Sequence, residues 1–202
     1  SAAHVAMTTT LGAAAGCLGT AAIGFVEKQY IDPGYVYNGV LAGLVSITSP
    51  CAVVSPWGAI IVGAIGAFVY VGASKGVKAA GIDDAVDAFA VHGACGAWGV
   101  IACGLFATPF YYGVSYYSDR ADDCAGVFFG GKASGSLAAA FACVFVILAW
   151  VGSTMGLLFG TLKATGLLRV SQEIEDAGLD DSKHGGAMSE VVSEVTIKAT
   201  EA

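Results

Sequence analysis

The chain has 202 residues, 56% of them hydrophobic and only 12% charged, with a net charge of −7. This composition excludes a disordered chain, which would be polar, and argues against a soluble enzyme, whose surface draws on roughly 25% charged residues. The acidic balance and the lack of a basic cluster argue against nucleic acid as a partner.

Charge position predicts the elements in chain order. Residues 1–26 carry no charge and predict a first helix near 3–26. They lack the basic start of a secretory signal and are followed by further apolar runs. Glu27, Lys28 and Asp32 close this stretch. The next uncharged run, 33–74, is 42 residues long. That suffices for two crossings of a hydrocarbon core that needs about 20 residues each. Ser-Pro pairs in SPCAVVSPW (49–57) break it into helices near 34–48 and 56–74. The first of these is short, which predicts a tilted or partly buried helix. The cluster from Lys75 to Asp87 leads into a fourth helix near 84–107, and the cluster from Asp119 to Lys132 into a fifth near 133–162. Residues 163–202 hold 12 of the 25 charged residues and form an acidic tail. The expectation is an all-α membrane protein, with a transmembrane bundle of five helices over 1–162. A β-barrel would need segments of alternating polarity, which are absent.

Five crossings place the ends on opposite sides of a bilayer. With the tail in the cytoplasm, that side holds seven Lys and Arg residues, and the other side only Arg120 and Lys132. The positive-inside rule therefore favours a cytoplasmic C-terminus. Cys17, Cys95, Cys103 and Cys143 fall in hydrophobic helices and read as packing residues. Cys51 and Cys124 fall in outer loops, which leaves a disulfide between them open. No Cys/His metal spacing occurs, and no cofactor is implied. Phe110, Tyr111, Tyr112, Tyr116 and Tyr117 suit an interfacial aromatic belt. The chain begins with Ser, so a piece or processed product of a longer chain is expected.

The most informative residue is His92, in IDDAVDAFAVHGACGAWGV (82–100). Asp83 or Asp84 is a natural N-cap for this helix. His92 then lies eight or nine residues in, about 12–13 Å along the axis. An ionisable group at such depth is costly and faces a bundle interior or a cavity. The alternative is a histidine bonded to a neighbouring helix. Ala88, four residues earlier, shares its helical face. Asp87 points about 140° away at 3.6 residues per turn, which gives it a structural role at the helix start. Gly93, Gly96 and Gly99 recur every three residues and read as packing positions.

DAFAVHG (87–93) followed by ACG resembles the motif around the second pore histidine of the ammonium transporter (Amt/Mep/Rh) family. NGVLAGLVSIT (38–48), SPCAVVSPWGAIIVGAIGA (49–67) and LLRVSQEIEDAGLDDSKHGG (167–186) resemble the same family, nearest its Amt branch. The resemblance implies helices seven to eleven of an eleven-helix fold, built as two inverted halves and assembled as homotrimers. It implies one apolar pore per protomer, lined by two histidines, with His92 matching the second. The substrate implied is ammonium or ammonia, and the location the plasma membrane. The acidic tail implies a docking segment that in relatives is a kinase or PII-type protein target. Ser182 and His184 lie within it, Ser182 at a phosphorylatable position of certain plant members. The first pore histidine of the family has no counterpart here, and His4 reads as an interfacial residue instead. A non-transporting truncated subunit that assembles with full-length relatives is the rival reading. A light-driven pump would need a lysine inside a helix and a water channel paired Asn-Pro-Ala motifs, and neither is present.

Overall fold

The computed structural model describes residues 1–179. Its regular elements are all helical: α1 (Ala2–Lys28), α2 (Pro33–Thr48), α3 (Pro56–Ala79), a π-helical turn (Phe89–Ala94) continuing into α4 (Cys95–Phe106), α5 (Pro109–Ser115), α6 (Ala138–Ala164) and the short α7 (Gln172–Ala177). A second π-helical turn (Ala133–Leu137) leads into α6.

Local sequence explains where the helices begin. Three starts pair a capping side chain with a proline at the first helical position, where the missing N–H costs nothing. Asp32 accepts from Gly34 N (2.8 Å), Ser55 from Gly58 N (3.3 Å) and Thr108 from Tyr111 N (3.3 Å). Pro33, Pro56 and Pro109 follow these caps directly.

Packing is set by small residues. Thr8, Gly12, Gly16, Thr20 and Gly24 form the buried stripe of α1 at a spacing of four. Spacing of this kind lets helix backbones approach closely in lipid. A methyl group on Gly16 would lie 2.5 Å from Gly39 O of α2, and one on Gly63 of α3 only 2.2 Å from Gly12 O. Thus α1 packs on both α2 and α3. Gly93, Gly96 and Gly99 do not behave alike. A methyl on Gly99 would meet Ser46 O at 2.6 Å, one on Gly96 only Val45 Cγ1 at 3.8 Å, and Gly93 is exposed beside the Phe89 ring. Three-residue spacing spreads positions around a helix, so only Gly99 makes a backbone contact.

The 49–55 connection is partly buried although it is not helical. Pro50, Val53 and Val54 are buried, and each carbonyl from 51 to 54 has a donor. Thr8 Oγ1 donates to Cys51 O (2.8 Å), Ser115 Oγ to Ala52 O (2.9 Å), Thr108 N to Val53 O (2.8 Å) and His4 Nε2 to Val54 O (2.9 Å). Irregular backbone is tolerated at membrane depth only when protein satisfies it in this way. His4 also stacks on Tyr111, with ring centroids 4.1 Å apart. At the opposite end Lys75 pairs with Glu27, Lys28 with Asp32 and Lys78 with Asp87 (3.3 Å).

Ala2–Lys28, Pro56–Ala79, Phe89–Phe106 and Gly135–Ala164 are long and apolar enough to cross a membrane. The remaining expected crossing, α2, has 16 residues and packs against α1, α3 and α4. The helix expected near 84–107 begins later, because residues 82–87 form a turn and the first fully helical residue is Ala88. The structure divides into two compact units, Ser1–Ile147 and Leu148–Ala202, with the division inside α6. In the second unit Gly166 (φ 74°) ends α6, with Leu167 N bonded to Leu162 O (2.9 Å), and Arg169 pairs with Glu175. The sequence left a Cys51–Cys124 disulfide open; both are free thiols, and Cys51 Sγ donates to Thr48 O (3.2 Å).

Candidate functional site

The site is built around the π-helical turn that carries His92. A π turn bonds residue i to i+5, is rare, and is found frequently at functional sites. Its entry is held by two aspartates. Asp84 accepts from Ala88 N (2.7 Å) and Phe89 N (2.9 Å), which satisfies the first free donors of the helix. Asp83 lies outside the helix and is exposed.

Asp87 adopts a left-handed backbone (φ 55°), a conformation that Asp and Asn tolerate better than most residues. This bend turns its carboxylate back onto α2 and α3. Oδ1 accepts from Ser74 Oγ (2.7 Å) and lies 3.3 Å from Lys78 Nζ. Oδ2 accepts from Tyr70 OH (3.0 Å) and from Asn38 Nδ2 at 3.5 Å. Asn38 Nδ2 also donates to Tyr70 OH (3.0 Å), so the phenol accepts from α2 and donates to the aspartate. Tyr70, Ser74 and Lys78 are spaced by four along one face of α3. Burial works against ionisation of Asp87 and is the largest single effect. The Ser74 and Tyr70 hydroxyls and the Lys78 ammonium together outweigh it and hold the carboxyl below its ordinary value of 3.8.

His92 lies four residues beyond Ala88, about 6 Å along the axis rather than 12–13 Å. The late start of the helix causes the difference. Both His92 and Ala88 are exposed, whereas Ala90, Val91 and Cys95 on the opposite side are buried against α2 and α3. Among the described residues the His92 ring has no hydrogen-bond partner. The structure therefore brings Asp84, Asp87 and the His92 turn together and directs the imidazole out of the bundle. His4 is engaged with Val54 and Tyr111 at the other end. Ser182 and His184 lie outside the described residues.

Sequence reasoning missed Asn38, Tyr70 and Ser74. The available signal was polar groups within otherwise apolar helices, two of them in register with Lys78. Among the described residues no group of three or more His, Cys, Asp or Glu side chains could hold a metal ion.

The model of the "Ammonium Transporter Family" matches residues 1–189. "Ammonium transporter 1 member 2" of Arabidopsis thaliana is 42% identical over 188 residues, covering 91% of this chain and 35% of the relative. "Ammonium transporter 1 member 1" of Oryza sativa subsp. japonica is 40% identical, with 91% of this chain and 36% of the relative covered. The chain thus spans about a third of the length of these curated relatives, 35% and 36%. Among solved structures, a "Sensor Amt Protein" superposes with a TM-score of 0.74 at 27% identity, over 90% of this chain and 42% of that one. Candida albicans Mep2 gives a TM-score of 0.74 at 22% identity, over 84% of this chain and 37% of that one, a likeness of fold.

Proposed function

We propose that this chain, which belongs to the Ammonium Transporter Family, supplies the His92-bearing wall of a pore for ammonium or ammonia. The observation that carries the reading is the exposed imidazole of His92, projecting from a rigidly held π turn on an apolar helix. In this reading the chain is the C-terminal half of a protomer, with α2 as its fifth crossing. The remainder of the protomer covers the face that bears His92 and Ala88, and supplies a second histidine. Asp84 and Asp87 hold the start of the pore helix, with Asp83 beside them.

The chemistry suits these residues. Ammonium is a hydrated cation, and an apolar constriction excludes it far more strongly than neutral ammonia. A proton must leave before the constriction. A neutral imidazole offers one donor and one acceptor nitrogen, enough to hold ammonia in file and pass a proton to a neighbouring ring. The assembly in this reading is a homotrimer in the plasma membrane, with a cytoplasmic tail. Ser182 and His184 then lie in a segment open to a kinase or a PII-type protein.

The test is uptake of methylammonium by the longer protein that contains this chain, in cells lacking their own transporters. His92→Ala should abolish uptake, or strongly alter its selectivity, at unchanged surface abundance. Normal uptake and selectivity in that variant would sink the reading. Restored growth on limiting ammonium by these 202 residues alone would refute the half-protomer reading. If the chain instead lowers uptake by a co-expressed full-length relative, the truncated-subunit role gains the support.

A further inference from the structure

A π turn does not hold itself together. The conformation is rare and mostly confined to single turns, so a six-residue run persists only where surrounding structure determines it. Here two aspartates and their partners determine it. Asp84 takes the first two amides. Val91 N donates to Asp87 O (2.9 Å), so the backbone enters the turn directly from the left-handed residue. That residue is anchored through four side-chain donors, Asn38, Tyr70, Ser74 and Lys78. Tyr70 and Ser74 are 2% and 6% exposed, so the hydroxyl part of the anchor lies inside the bundle, with Lys78 at its surface.

We infer that Asn38, Tyr70 and Ser74 are positioning residues for His92, acting through Asp87 to keep its turn π-helical. The inference rests on the reading of His92 as a pore residue. None of the three needs to touch the transported species. A π turn advances about 80° per residue, against 100° in an α-helix. Relaxation to α geometry over the three steps from Phe89 to His92 turns the imidazole by about 60° about the axis. A ring held at side-chain length from the axis then moves by several ångströms. A misplacement of about 1 Å can cost up to 10²-fold in a positioned reaction. The network thus fixes the aim of the ring.

Asp87→Gly separates the two properties of Asp87. Glycine keeps the left-handed backbone and removes the carboxylate. Asp87→Asn also tolerates that backbone and removes only the charge. Tyr70→Phe and Ser74→Ala each delete one oxygen. Two readouts are taken on the longer protein in membranes: methylammonium uptake at matched abundance, and the ¹⁵N resonance of the His92 ring, assigned by its loss in His92→Ala. Uptake should fall about tenfold or more in Asp87→Gly and Asp87→Asn, and about threefold in Tyr70→Phe and Ser74→Ala. The His92 resonance should shift or split in all four variants, which a loss of stability alone would not produce. Unchanged resonance in Tyr70→Phe and Ser74→Ala overturns the inference, even if Asp87→Gly fails to reach the membrane. Normal uptake in His92→Ala, with a shifted resonance in Asp87→Gly, would remove the pore role and leave the positioning intact.

Discussion

Two glycines of one helix should respond oppositely to the same added methyl group. Gly63 and Gly72 both lie in α3. A methyl on Gly63 would sit 2.2 Å from Gly12 O and 2.9 Å from Gly12 Cα, whereas one on Gly72 meets nothing within 4 Å. Both obstacles at Gly63 are backbone atoms, which cannot swing aside. Gly63→Ala must therefore push α1 and α3 apart by about 1 Å. A gap of that size forfeits up to half of each dispersion contact of about 0.1–0.2 kcal/mol. Over some tens of atom pairs along the seam this amounts to about 2–3 kcal/mol, within the usual range for overpacking. Gly72→Ala removes a helix-disfavouring residue without a clash and should stabilise by up to about 1 kcal/mol. The two variants thus differ by about 3 kcal/mol, roughly 100-fold in the unfolding constant. The assay is titration of the purified 202-residue chain from a mild detergent into sodium dodecyl sulfate, followed by helical circular dichroism. Equal midpoints for Gly63→Ala and the parent chain would refute the close-packing argument.

Trp98→Phe removes the indole donor to Val62 O (3.0 Å) and should lower stability by about 1 kcal/mol in the same titration. The carboxyl of Asp87 is held below its ordinary value, so it stabilises the fold fully above the unfolded-chain value. That contribution is lost as the pH falls through the lower, folded value. Thermal unfolding in detergent should therefore be insensitive to this group from pH 8 down to about pH 4 and lose its contribution below that. Asp87→Gly should flatten part of the acid limb, and an unaltered limb would contradict the assignment. Ser182→Asp adds a negative charge beside Asp180 and Asp181 and should lower uptake by the longer protein. Equal uptake at equal surface abundance would count against a docked tail.

Much of the helix layout was readable because charge cannot be hidden in an apolar bundle. The charge clusters, together with Ser-Pro and Asp-Pro pairs, mark helix ends by desolvation and by capping, both local effects. The four-residue stripe from Thr8 to Gly24 is equally readable, because a spacing of four keeps small residues on one face, which the three-residue repeat at 93–99 does not. The start of the His92 helix was not readable. Face and depth arguments assume 3.6 residues per turn, and the π turn from Phe89 to Ala94 breaks that assumption. The bend before it depends on partners on two other helices, from Lys78 on α3 to Asn38, 49 residues away on α2. No periodicity encodes such a separation. His92 itself stood out because an imidazole in an apolar helix is costly wherever the helix begins.

The 16 residues of α2 amount to about 24 Å of helix, several ångströms less than a bilayer core of roughly 30 Å. Because the carbonyls of 51–54 already have protein donors, the connection after α2 can sink below the lipid surface without carrying water with it. Lipids beside the exposed side chains of α2, such as Tyr37 and Leu41, then meet a lower apolar wall than lipids beside α3. The surrounding annulus must thin on that side alone, a hydrophobic mismatch that short-chain lipids relieve and long-chain lipids aggravate. Membrane thickness would accordingly be felt through one flank of the bundle, the one that carries Asn38 on the way to His92.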